Sequence, residues 1–115
     1  MAEGLLRPSA LEVGRAYYCL LEEDWGAGRP RVEPMIYLGA NILPGDERRP
    51  VQHYFQDAVS YYWRGAATDR ESAARHPEIL IGLVPMQEAD IGVRVVTLEG
   101  AIAAFQQARA RARMH

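Results

Sequence analysis

The sequence predicts a mostly β fold with minor α. The architecture it points to is a small, SH3-like, partly open antiparallel barrel of about five strands, with a short helical insert and a C-terminal helix. Three observations lead there. Five short runs carry strand patterning, with apolar residues that alternate or fill both parities. Several of these runs are joined by short connections, which favour antiparallel neighbours over parallel crossovers. The closing stretch, residues 98–113, switches to apolar spacings of three and four, the period of a helix. With so few strands, both faces are covered only if the sheet curls or a helix lies across one side. An α+β two-layer sandwich is the alternative that the same pattern allows.

Composition narrows the classes. The chain has 115 residues, the size of one domain, so residues 1–115 are read as a single small globular unit. Apolar content of 49% and charged content of 24% are ordinary for a globular protein whose core needs neither metals nor disulfides. A formal charge of −2 gives no footprint for nucleic acid or membrane. All thirteen basic side chains are arginine, which excludes a Schiff-base lysine, a P-loop lysine and a lysine general base. Cys19 is the one cysteine, so no intrachain disulfide, CxxC pair or zinc knuckle forms. Its apolar surroundings in the sequence make it a small buried hydrophobe. The first eight residues lack a leader pattern, and no apolar stretch approaches the ~20 residues of a membrane helix. The expectation is a bacterial, cytoplasmic protein with no cofactor and no metal.

Each element has its own warrant. Pro8 to Glu12 suits one helical turn, with Ser9 as cap and Glu12 three residues on. Gly14 then opens a strand over residues 15–21, apolar at both parities and therefore covered on both faces. Glu22-Glu23-Asp24 reads as a solvated turn, and residues 25–31 as a Gly/Pro loop. Residues 32–39 form a second strand with Val32, Ile36 and Leu38 toward the core, and Pro34 places it at an edge or strand start. Residues 43–50 make a turn around Pro44-Gly45-Asp46. Residues 51–56 alternate as a third strand. Asp57 then looks like an N-cap, Val59, Tyr62 and Trp63 share helical spacing, and Gly65 suits the position after the helix. On this reading Phe55, Val59 and Tyr62 or Trp63 point inward. Thr68 to Glu71 is a capping-box pattern for a marginal helix that Pro77 stops. Residues 79–84 read as a central buried strand, 87–92 as a connection and 93–97 as a fifth strand. Thr97 caps the closing helix, whose stripe is Leu98, Ala101, Ile102, Phe105, Ala108 and Ala112.

No stretch carries a specific catalytic signature. His53 and Asp57 suggest a base with its carboxylate, but four residues along a strand span roughly 13 Å, far beyond hydrogen-bond reach. His53 and His76 lack metal-ligand spacing, and His115 is terminal. Nothing local activates Cys19 as a nucleophile. Ser9, Ser60 and Ser72 sit in cap or helix contexts, not in a nucleophile elbow. Arg109, Arg111 and Arg113 complement the negative end of the last helix, and three charges alone would hold nucleic acid only weakly.

The aromatic residues are the remaining signal. Five of them fall between Val51 and Gly65, and adjacent pairs such as Tyr17-Tyr18 and Tyr61-Tyr62 cannot both point into a core from a strand. Some therefore lie on a surface, where Tyr and Trp favour contacts with partners. The reading that follows is a non-enzymatic binding module that contacts a protein partner or a second copy of itself as a homodimer. Its contact residues are Tyr54, Tyr61, Trp63 and Trp25. A small hydrolase or transferase assembled from distant Asp, His and Tyr is one alternative, and a weak nucleic-acid contact module is another.

Overall fold

Strand β1 (Ala16–Leu20) pairs on one side with β2 (Val32–Ala40) and on the other with β5 (Val95–Val96). Strands β3 (Gln52–Asp57) and β4 (Val84–Gln87) extend the sheet beyond β2, giving the order β4-β3-β2-β1-β5 with every pair antiparallel. These elements come from a computed structural model, which describes residues 6–21, 31–48 and 50–113. Helices α1 (Ala58–Arg64), α2 (Arg70–Arg75) and α3 (Glu78–Ile81) follow β3; α4 (Glu88–Arg94) joins β4 to β5; and α5 (Leu98–Arg113) comes last. The expected turns around Glu22 to Arg31, with Trp25, and the terminal His115 lie outside the described residues, except Arg31 itself.

The sheet must curl, and α4 shows why. It starts at the residue after β4 and ends at the residue before β5, although these strands sit at opposite edges. Seven helical residues rise only about 10 Å, whereas the edges of a flat five-stranded sheet would stand about 19 Å apart. The fold is thus a partly open antiparallel half-barrel with α4 across its gap. Ile91 of α4 is fully buried against the inner face, among Tyr17, Cys19, Met35, Tyr37, Phe55, Met86 and Val95.

The outer face is covered as well. Leu38 and Tyr54 pack there with Ala67 and Ile79 from the helical segment, and Tyr61 and Leu83 close the cluster. Tyr37 faces inward and Leu38 outward, as strand alternation requires, and the register of β2 then shifts at a bulge, with Tyr37 opposite Phe55 and Gly39 opposite Tyr54. Helix α5 lies against β1 and β5 through Ala101 and Ala108. Burial on both faces is why β2 reads as continuously apolar from Met35 to Leu38.

Several local expectations are corrected. Residues 79–84 are not one central strand: Glu78–Ile81 is a single helical turn, and the strand begins at Val84. Pro77 fixes a backbone φ of −58°, suited to starting a helix, so the β-branched run coils before it extends. The strand that follows carries Pro85 and lies at the sheet edge, the place that tolerates a missing N–H. Residues 88–94 are helix, not connection, started by a reciprocal pairing of Gln87 with Asp90. Only Val95 and Val96 remain of the expected fifth strand. The cap of α2 is Asp69, not Thr68: its carboxylate accepts from Ser72 N at 3.1 Å and from the Ser72 hydroxyl at 2.6 Å. More residues are helical than extended, so the α part is larger than the sequence suggested.

Candidate contact surface

Helix α1 is short, and two side chains from the preceding strand hold it. Asp57 caps it, its carboxylate accepting from Ser60 N at 2.9 Å. Gln56, fully buried, donates from Nε2 to the Ser60 hydroxyl (3.1 Å) and to the Gly65 carbonyl (3.0 Å), and its Oε1 accepts from Ala67 N at 2.8 Å. One glutamine thus ties the start of the helix, its end and the chain beyond to β3. Gly65 turns the backbone with φ of +95°, and a Cβ there would stand 2.8 Å from Ser72 Cβ. Only glycine fits.

This anchoring sets which face is outward. Tyr61 turns toward the outer core cluster. Val59, Tyr62 and Trp63 are 66%, 70% and 84% exposed. Tyr61 and Tyr62 meet edge to face at 5.2 Å. Beside Trp63 runs an open groove of about 630 Å³ lined by Asp57, Val59, Ser60, Trp63, Arg64 and His76. Glu78 closes its polar side, 3.2 Å from Arg64 Nη1 and 3.5 Å from His76 Nδ1.

The four residues singled out from the sequence do not come together. Trp63 is on the exposed face and Tyr61 is half-buried beneath it. Tyr54 is a core residue, 5% exposed, and its hydroxyl donates to the buried Asp46 carboxylate at 3.1 Å, which pins the β2–β3 turn. Trp25 lies outside the described residues. The expectation that Val59 and Tyr62 or Trp63 point inward is reversed. Five of the seven residues of α1 are apolar or aromatic, so periodicity alone fits two faces. Gln56 and Asp57 both grip Ser60, which turns the Ser60–Tyr61 side toward the sheet. Tyr62 and Val59 are surface residues that periodicity placed in the core; the Gln56-Asp57 pair ahead of Ser60 was the signal that could have found them.

Cys19, His53, Asp57 and Tyr37 are each buried or held by a structural partner. Burial pushes the Cys19 thiol above its ordinary pKa, with Arg94 opposing in part, so the thiolate is disfavoured. His53 and Asp57 are not partners: Asp57 caps α1, and His53 Nδ1 shares a 2.8 Å hydrogen bond with the Tyr37 hydroxyl inside the barrel. His53 Nε2 is buried and has no partner among the described residues. Burial also raises the Tyr37 hydroxyl above its usual pKa, and Tyr17 adds to it. In the groove, the Ser60 hydroxyl donates to the Asp57 carbonyl at 3.3 Å. Among the described residues, no three His, Cys, Asp or Glu side chains converge to hold a metal ion, and no helix is long and apolar enough to cross a membrane. No known protein family, curated protein or solved structure matches this chain.

Proposed function

We propose that this chain is a non-enzymatic binding module that docks a protein partner on the outward face of α1. One observation carries the reading: Val59, Tyr62 and Trp63 stand together in water on a helix whose orientation is fixed by Gln56 and Asp57. A rigid surface helix that presents two large aromatic rings is the kind of anchor that interface energetics favour. The groove beside Trp63, with Arg64 and His76 on its rim, supplies the polar border such anchors use. Hydrolysis is the second reading, because the same groove brings Asp57, Ser60 and His76 near one another. Against it, the Asp57 carboxylate, the Ser60 hydroxyl and His76 each serve a structural partner: Ser60 N, the Asp57 carbonyl and Glu78.

Site-specific photocrosslinking tests the proposal. A photoreactive phenylalanine analogue at position 62, in the producing cell, is expected to give a discrete protein adduct. The same probe at Ala74, exposed on α2, gives none, and Trp63→Ala suppresses the adduct from position 62. Equal background from positions 59, 62, 63 and 74 would remove the reading.

A further inference from the structure

A second surface, on α5, has its own internal logic. Helix α5 seats Ala101 and Ala108 on the sheet, and both are buried. Next to that alanine seam run Leu98, Ile102 and Phe105, which are 52%, 49% and 37% exposed. Their spacing of four and three continues by four to Arg109, which is the seam of a two-helix coiled coil. Phe105 also has an interaction within its own chain, so Leu98 and Ile102 carry most of the exposed apolar surface of the seam. The charges along the helix are sorted: Glu99 in the first turn, and Arg109, Arg111 and Arg113 toward its end. Neither Glu99 nor Arg109 makes an ion pair with another described residue.

We infer that α5 is a self-association surface, on which a second copy of this chain lays its own α5 antiparallel. The charge pattern selects both the occupant and the direction. A parallel pair would set glutamate beside glutamate and arginine beside arginine. An antiparallel pair that places Ile102 against Phe105 of the other copy places Leu98 against Arg109. Glu99 then stands within about one residue rise, ~1.5 Å, of the level of that Arg109, and the two-fold axis repeats the pairing. The aliphatic stem of Arg109 covers Leu98 while its guanidinium reaches Glu99.

The surface around Leu98 fits this arrangement. Leu98 and Glu99 border a groove of about 330 Å³ shared with Leu6, Tyr18 and Arg15. The Arg15 guanidinium is already held by Glu12 at 2.6 Å and also feels the Glu99 charge, so the incoming arginine shares Glu99 with a neighbour whose own charge Glu12 offsets. A helix of sixteen residues offers a face about 24 Å long. At a helix width of about 10 Å that face covers only about 240 Å², less than the ~800 Å² per partner of a standard interface, so the dimer is reversible and concentration-dependent. This surface is distinct from the α1 face, and neither proposal depends on the other.

Sedimentation equilibrium on the full chain reads the result. The mass should rise with concentration from 12.9 kDa toward twice that value. Ile102→Glu should hold the chain at monomer mass throughout, with an unchanged thermal melt, since Ile102 is half exposed. Leu98→Ser gives the same readout should that variant fail to fold. Glu99→Arg or Arg109→Glu alone should each weaken association about tenfold, as two symmetric attractions become repulsions. The double reversal should recover most of that loss, and Trp63→Ala should leave the dimer intact. A monomer at every concentration, a dimer indifferent to Ile102→Glu and Leu98→Ser, or a double reversal no stronger than the single ones would each overturn the inference.

Discussion

Gln56 and His53 sit on opposite faces of β3, and their surroundings differ in one respect that matters. The carboxamide of Gln56 is engaged at both its oxygen and its nitrogen, so its burial is fully compensated. His53 is paired at one ring nitrogen only, by Tyr37, in a site where an unmet polar atom costs about 1–3 kcal/mol. Tyr37→Phe should therefore destabilise the fold by about 1–3 kcal/mol, because it strands the second nitrogen too. Urea denaturation of Tyr37→Phe, His53→Leu and the double variant checks this: the double should cost clearly less than the sum of the singles. At Gly65 the penalty is backbone in origin. Gly65→Ala meets both a φ of +95° and the Ser72 side chain, and should cost more than ~1 kcal/mol. Adding Ser72→Ala removes the hydroxyl oxygen from the contact but leaves the Ser72 Cβ position 2.8 Å away and the backbone strain in place, so thermal melts should show partial rescue only. Little of this was legible in sequence. The alternation of β3 assigns each residue to a face, but what covers Gln56 comes from residues 60–67, after the strand has ended.

The same limit appears among the elements. Where a cap, a stop and a period agreed, the sequence sufficed: Asp57 and Gly65 bound α1, and Thr97 starts α5, its hydroxyl accepting from Gly100 N at 3.2 Å. Where they conflicted, apolar content misled. The run from Ile79 to Val84 looked like a buried strand, yet as a helical turn it buries Ile79 and leaves Ile81 in water. A run that short cannot separate buried strand from buried helix, and Pro77 and Gly82 at its borders carried the better signal. For α1 the period was right and the face was wrong. That reversal is testable by stability alone. Trp63→Ala should change the unfolding free energy by less than ~0.5 kcal/mol, as exposed substitutions do. Tyr61→Ala, which empties part of the outer cluster, should cost about 2 kcal/mol or more. Equal effects in chemical denaturation would mean that α1 turns its Trp63 side to the sheet as much as its Tyr61 side.

For the whole molecule, strand count and antiparallel pairing follow from short runs and short links, but closure depends on a helix that the sequence concealed. Residues 88–94 hold Ala89, Ile91 and Val93 among acids, glycine and arginine, and of these three only Ile91 is buried. That one side chain fills the gap between the two edge strands, which are themselves short: four residues in β4 and two in β5. The outer edge of β5 adds a hydrogen bond of 3.3 Å from Leu6 N to the Val95 carbonyl. Edges this short have little independent stability and depend on the plug. Ile91→Ala should thus cost about 2–5 kcal/mol, and the loss should be uneven. Hydrogen exchange should accelerate most at Val95, Val96 and Met86, beside the emptied site, and least at Ile36 and Phe55, in the centre of the β2–β3 pair. Uniform acceleration across all five strands would mean instead that the half-barrel opens as one unit, with α4 no more than a link between its edges.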